Sequence, residues 1–426
     1  MLWGNNRKRK SDSHRRTCLT SFFNHAVVGQ LAEDCANPPS PCYPVSMQII
    51  TSERIPIKLW ASDIDAAALQ QARNLANLPF AFRWVAVMPD AHTGYGMPIG
   101  GVLATDGMVI PNAVGVDIGC GMAAVRTSLT RISIDELQEI LTIIRSEVPV
   151  GFKHHPHPQP WDGFDRAPDI PIIQQELYSA RHQLGTLGGG NHFIEIQQGD
   201  DGFIWLMIHS GSRNFGLKTA SEYHRLARNL CARGRVNLPD PDLSFLPVDS
   251  SDGREYLKAM NYCLDFARAN RALMVERCLG AITAVTGGTG TQSVNIHHNY
   301  AAVETHFGHE VLVHRKGATS ARKGQAGIIP GSMGSSSYIT EGLGCEESFT
   351  SSSHGAGRRM GRNEASRKLD LEREQQKMKG IIHGLRSKHD LDEAPGAYKD
   401  IDEVMAQQKD LVKIVVKLRP LAVIKG

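Results

Sequence analysis

The sequence predicts an α+β fold: one large domain of mixed and antiparallel sheets with helices at its periphery. Three observations point there. Short apolar runs broken by Gly, Pro and Asn cluster at residues 85–128, 192–212 and 294–338, which reads as strands. Amphipathic helical stretches are inserted between these clusters. The 41 glycines among 426 residues call for a backbone rich in tight turns and close approaches.

The elements follow in chain order. Residues 1–46 hold "RKRK", three cysteines and "NPPSPCYP" without sustained periodicity, and read as a flexible basic, Pro-rich N-terminal extension. A basic RNA-binding or targeting arm is the alternative for that stretch. Met47 opens the folded domain, 47–426, with the strand-like "MQIITSERIPIKLW". Ser62 begins the amphipathic helix "SDIDAAALQQARNLANL". Ser133 caps "IDELQEILTIIRSEV", and Glu136 completes a capping box. Further helices are expected at 217–233, 253–280 and 364–383. The segment "KHHPHPQP", Lys153–Pro160, reads as an exposed loop, with metal capture by His154, His155 and His157 as the alternative.

Composition bounds the function. With 41% hydrophobic and 21% charged residues, the chain can bury a sizeable core. Six of the 47 Lys/Arg and three of the 44 Asp/Glu lie in residues 1–46, leaving 41 of each sign in the rest. Any anion-binding surface of the main body must then be a local patch. Eight cysteines without a C-x-x-C pair read as reduced, cytoplasmic thiols. No apolar run is long enough to span a membrane, and no apolar segment follows the N-terminal basic cluster as a secretory signal would require.

The stretch "VGVDIGCGMAAV", Val114–Val125, places Asp117 and Cys120 in an apolar setting. A buried carboxylate needs a partner or a metal. Residues three apart point to opposite faces of a strand, so Gly119 and Gly121 are expected to form a bulge or turn that brings them together. Four further segments combine apolar strand, glycine and histidine. They are "GTLGGGNHFIEI" with Asn191, His192 and Glu195, "WLMIHSGSRNFG" with His209 and Arg213, "VNIHHNYAAVETHFGHE" with His297, His298 and Asn299, and "SSSHGAGRRMGR" with His354. Each histidine alone reads more readily as a satisfied core residue than as a ligand. Together with Asp117 and Cys120 they offer thiolate, carboxylate and imidazole for two divalent ions bridged by the thiolate.

Phosphate is the second theme. "GTLGGGN", "GIIPGSMGSSS" and "SHGAGR" present backbone N–H groups free of bulky side chains. Arg213, Lys316, Arg358 and Arg362 lie near these loops and could complete a charged clamp. For Arg358 and Arg362 a solvated helix start is the alternative. No Walker or dinucleotide fingerprint is present.

In this order, "MPDAHTGYGMPIGG", "GVDIGCGM", "LGTLGGGNHFIEI", "IHSGSRNFG", "HHNYAAVETHFG", "HRKGATSARKGQAGIIPGSMG", "ESFTSSSHGAGRRM", "APGAYKDIDEVM" and the terminal "RPLAVIKG" resemble the RtcB-type RNA-splicing ligase family. The resemblance covers residue 47 to Gly426. It implies a GTP- and Mn²⁺-dependent RNA ligase. Such an enzyme joins 3′-phosphate or 2′,3′-cyclic phosphate ends to 5′-hydroxyl ends through a His–GMP and an RNA-pp-G intermediate. An activating protein partner is compatible with it. By the same resemblance, Asp117, Cys120, His192, His209 and His298 would bind two manganese ions, and His354 would be the guanylylated nucleophile. GTP would be lined by Asn191, His192, Phe193, Ile194, Glu195, His298, Asn299, Pro330, Gly331, Ser332, Met333, Ser337, His354, Gly355, Ala356 and Gly357. Tyr398 and Lys425 would reach the guanine, and Arg213, Lys316 and Arg362 would hold RNA or nucleotide phosphates. Ser353 stands where the family often has cysteine.

Two rivals share some of these residues. A metal-dependent phosphohydrolase or nuclease could use the same ligands to activate water, but it needs neither His354 nor Tyr398 and Lys425. A non-catalytic RNA-binding protein would not need to retain the whole ligand set. By the usual affinity order a thiolate–imidazole site favours zinc, so manganese comes from the resemblance alone.

Overall fold

The computed structural model describes residues 47–426, and the expectations for residues 1–46 lie outside the described residues. Two large sheets organise the chain. The first runs, in spatial order, Gln48–Ile50, Ile57–Leu59, Ala81–His92, Ile99–Thr105, His309–Lys316 and Asn299–His306. All its pairings are antiparallel except that of Ile57–Leu59 with Ala81–His92. The second runs Gly290–His297, Gly121–Thr127, Ile204–Ser210, Phe193–Gly199, Val412–Lys425, Ser337–Gly342 and Ala326–Ile329, antiparallel throughout. Its two outermost strands lie against each other, so it curls towards a barrel. The mixed α+β architecture expected from the sequence is the one observed.

Both faces of the seven-stranded sheet are covered, which is why its strands read as continuous apolar runs. One face packs Val125, Ile194, Leu206 and Ile208 against Ile140, Met274 and Cys278 of the helices Ile134–Glu147 and Ser251–Thr286. The inner face carries Met122, Phe193, Met207 and Val423. Alternation therefore decides which side chains look inward. Register then aligns Met122, His209, Phe193 and Lys425 across four adjacent strands.

The two sheets meet at one residue. The chain leaves the seven-stranded sheet at His297 and enters the six-stranded sheet at Asn299. His298 sits in that seam. Beyond the six-stranded sheet, Ala318–Ser320 pairs with Ser351–Ser353, and His354 follows directly.

Several elements differ from expectation. The first helix is Ala66–Ala76, because the Asp65 side chain, rather than Ser62, accepts the Ala68 N–H at 2.8 Å. The helix expected at 253–280 runs Ser251–Thr286 and stops at Gly287 in the left-handed conformation. The one expected at 364–383 is two short helices, Arg362–Lys368 and Leu371–Lys377, since Asp370 caps a new start. In the 153–160 loop, the ring of His155 is taken up by Arg277 and the Gly185 carbonyl. Among the described residues no helix is long and apolar enough to cross a membrane.

Candidate active site

Asp117 and Cys120 are brought together by a tight turn. The Cys120 N–H donates to the Asp117 carbonyl at 3.1 Å. Gly119 sits third in that turn with φ of 76°, the position where a type II turn needs a positive φ. The expected convergence is thus achieved by a turn just ahead of the strand Gly121–Thr127.

Three histidines from different segments close on Cys120 Sγ. His192 Nε2 lies 3.5 Å and His209 Nε2 3.2 Å from the sulfur. His192 Nε2 is also 3.3 Å from Asp117 Oδ2, and His209 Nε2 is 3.4 Å from His298 Nε2. Two ligand sets result, Asp117–Cys120–His192 and Cys120–His209–His298, sharing the one sulfur. His192 Nδ1 donates to the Leu187 carbonyl at 2.9 Å, and His209 Nδ1 to the Asn191 carbonyl at 3.1 Å. Those bonds select the tautomer whose Nε2 lone pair faces the sulfur, the form a metal ligand takes.

The charge states fit a cation. Burial and the neighbouring histidines hold His209 and His298 well below the usual imidazole range, so both are neutral and able to bind a cation. Burial, then the Asp117 charge, pushes the Cys120 thiol well up. A divalent ion bound there would supply the positive charge needed to ionise it.

His354 stands beside this cluster, its ring centroid 4.8 Å from that of His298. Its Nδ1–H donates to Asp90 Oδ2 at 2.6 Å. The same oxygen accepts the backbone N–H groups of His354 and Gly355 at 3.1 and 3.2 Å. Burial alone would raise the Asp90 carboxyl, but the charge and hydrogen bonds of His354, then His92, hold it below its ordinary value. His354 Nε2 is left as the free nitrogen. Gly357, at φ of 73°, lets this loop lie on Asp90: a Cβ there would come within 2.1 Å of the Asp90 carbonyl oxygen.

A cavity of about 240 Å³ opens in front of His354. It is lined by Asn191, Phe193, Glu195, His209, Pro330, Gly331, Ser332, Met333, Gly355, Ala356, Gly357, Arg362, Tyr398 and Lys425. Burial pushes Glu195 up to about 8, against the pull of Lys425 and Gln197, so it is mainly protonated at neutral pH.

The other residues expected to hold GTP or phosphate, His192, Ile194, His298, Asn299, Ser337, Arg213 and Lys316, do not line this cavity. Ile194 faces the helix-covered side of the sheet. Ser337 Oγ accepts the Gly331 N–H at 3.2 Å and supports that loop from beneath. Asn299 ties the Asp117 carbonyl to the Gly317 N–H, at 3.1 and 2.8 Å. Arg213 donates to Thr186 Oγ1 and the Gly151 carbonyl, each at 3.0 Å. Lys316 Nζ donates to the carbonyls of Tyr95 and Asn112 at 2.6 and 3.0 Å.

Sequence reasoning passed over Asp90, His92 and Glu393. Asp90 carried the same signal as Asp117, a carboxylate inside an apolar run. Glu393 lies in a segment of short 3₁₀ turns with no periodicity to mark it.

Comparison with known proteins agrees with the geometry. A family described as tRNA-splicing ligase RtcB matches residues 71–169 and 164–426. The RNA-splicing ligase RtcB of Escherichia coli K12 is 40% identical over 409 residues, covering 90% of this chain and 100% of that protein. The tRNA-splicing ligase RtcB of Pyrobaculum aerophilum is 33% identical over 461 residues, 88% of this chain and 95% of that protein. The RNA-splicing ligase RtcB of Mycobacterium tuberculosis is 33% identical over 437 residues, 84% of this chain and all of its own length. With one cysteine sulfur shared between two groups of residues that could each hold a metal ion, a histidine pinned by a buried aspartate, and family similarity along almost the whole described chain, this protein belongs to the RtcB family.

Proposed function

We propose that this chain is a GTP- and manganese-dependent RNA ligase that joins 3′-phosphate or 2′,3′-cyclic phosphate ends to 5′-hydroxyl ends. The observation that carries this is His354. Its Nδ1 is bound to buried Asp90, and the residue lines a cavity of about 240 Å³ next to residues that could hold two metal ions. A hydrolase could use the same aspartate–histidine pair as a general base for water, so a covalent GMP adduct is what separates the two readings.

Asp117, Cys120 and His192 would hold one divalent cation and Cys120, His209 and His298 a second, which would polarise phosphate oxygens and neutralise charge in the transition state. The loops Pro330–Met333 and Gly355–Gly357 present backbone to the phosphates. Tyr398 and Lys425 take the guanine end, and Arg362 the phosphate end. His354 Nε2 attacks the α-phosphorus of GTP. An N–P bond forms, and pyrophosphate leaves with the electron pair of the P–O bond. Asp90 keeps the proton on Nδ1 and stabilises the positive charge that the ring gains. A 2′,3′-cyclic end is first opened by water, which breaks the P–O2′ bond and frees the 2′-hydroxyl; a 3′-phosphate oxygen of RNA then attacks this phosphorus, freeing His354 and giving RNA-pp-G. A 5′-hydroxyl displaces GMP to complete the phosphodiester.

The test is incubation with GTP labelled at the α-phosphate and manganese, followed by denaturing electrophoresis and ligation of defined RNA ends. The chain should label, His354→Ala should not, and ligation should need GTP. Labelling of the alanine variant would remove His354 as the nucleophile.

A further inference from the structure

Glu393 is a buried carboxylate in the cavity wall, 5% exposed, with no part in the chemistry above. Its two oxygens gather four donors. Oε1 accepts from Arg358 Nη1 at 3.0 Å and Arg362 Nη2 at 3.2 Å. Oε2 accepts from Lys425 Nζ at 3.3 Å and from the Tyr398 hydroxyl. All four donors line the same cavity as His354. They come from three places in the chain: the loop after His354 with the first residue of the helix Arg362–Lys368, the turn before the helix Ile401–Ala406, and the end of the last strand. Glu393 is the group that touches all of them.

We infer that Glu393 is a positioning residue that couples recognition of the base to the grip on the phosphates, and so sets base specificity. The inference rests on the nucleotide-binding reading of this cavity. Three cations on one wall repel each other and would clamp any polyphosphate, whatever base it carried. Glu393 holds them in one arrangement. A guanidinium has five N–H groups, so half-exposed Arg362 can keep Glu393 and still offer donors to phosphate, whereas Arg358 also donates to the Met360 and Asp392 carbonyls and the Tyr398 hydroxyl and has one N–H to spare. Lys425 and Tyr398 share the same carboxylate, and Arg358 Nη1 also donates to the Tyr398 hydroxyl at 3.4 Å, so the base-side and phosphate-side donors meet at one anion. A base that pairs with them pulls on the anion that orients the arginines. A base that fails to pair leaves the arginines where Glu393 holds them. Other acids nearby do not replace it: Asp392 reaches only Arg362 through its side chain, at 3.5 Å, and Glu195 is mainly protonated at neutral pH.

The test is equilibrium binding of GTP and of inorganic tripolyphosphate, without metal, to the wild-type chain and to Glu393→Gln. GTP affinity should fall roughly tenfold, as expected for losing a charge-assisted contact. Tripolyphosphate affinity should hold or rise, because a negative charge leaves the wall. Glu393→Asp keeps the charge and should retain part of the GTP preference; it serves as the reporter if the glutamine variant melts early. An equal loss for both ligands would mark Glu393 as merely structural, and no change for either would overturn the inference. If the wild-type chain itself prefers tripolyphosphate to GTP, the nucleotide reading fails first and this inference with it.

Discussion

Asp90 takes three hydrogen bonds on one oxygen, while its other oxygen has no partner and is buried. Such an arrangement fixes a tautomer more than it adds stability. Asp90→Asn should leave the fold intact and slow covalent labelling of His354 by about 100-fold, because a misassigned imidazole proton removes the nucleophilic lone pair. Labelling time courses at saturating GTP would measure it. Lys316 makes a different kind of prediction. Burial lowers its ammonium to about 7 from its ordinary 10.5, with Asp242 and Asp240 recovering only part. Below about pH 7 both folded and unfolded chains carry the charge, and the folded chain bears the full desolvation penalty. Between about 7 and 10.5 the folded lysine is neutral while the unfolded one is still charged, so the unfolded state binds more protons. Stability contributed by this group should therefore rise with pH in that window, by at most ~1.4 kcal/mol per pH unit. Urea unfolding across pH 6.5–9.5 should show this slope in the wild-type chain and a flatter one in Lys316→Met. Both residues lie in stretches quoted above as motifs, yet only their surroundings in space separate a tautomer clamp from a buried lysine facing two carbonyls.

The turn Asp117–Cys120 is the element on which the ligand set depends. Gly119 meets two constraints: a positive φ, and a Cβ position only 2.8 Å from the Ala267 Cβ on the long helix. Gly119→Ala should destabilise the chain by ~1–3 kcal/mol and weaken metal binding further, because the turn would splay its two ligands. Calorimetry and a cobalt titration of the thiolate band would separate the two effects. Other elements show what local reading can reach. The Ser133–Glu136 capping box forms as read, since both partners sit in one helical turn. The final strand, Val412–Lys425, was missing from the strands read in the sequence. It contains Pro420, which lacks an N–H and argues against a position inside a sheet. The register shift between Pro420 and Ala422 accommodates that proline and still delivers Lys425 opposite Phe193.

Across the whole molecule, the ligand cluster is a seam. Cys120, His192 and His209 belong to the seven-stranded sheet or its edges, and His298 is the single residue between the two sheets. A bound ion should therefore staple them. Removing metal with a chelator should lower the melting temperature by a few degrees, given that ligand at a hundredfold over its Kd contributes about 2.7 kcal/mol. Cys120→Ala, which removes the sulfur common to both sets, should melt at the chelated temperature with or without added manganese. An unchanged wild-type melting temperature would mean that the site contributes nothing to holding the sheets together.

The sequence by itself determined the α+β class, because apolar alternation, glycine turns and helix caps act over a few residues. It also determined which side chains carry chemistry, since a carboxylate, a thiol and histidines inside apolar strands are conspicuous wherever they fall. Tertiary structure alone decided how they combine. Strand register aligned His209, Phe193 and Lys425, the seam placed His298 against His209, and burial made Asp90 the partner of His354. It alone placed Glu393 among Arg358, Arg362, Tyr398 and Lys425. These contacts join residues tens to hundreds of positions apart, and such pairings depend on packing between elements, which no local pattern encodes.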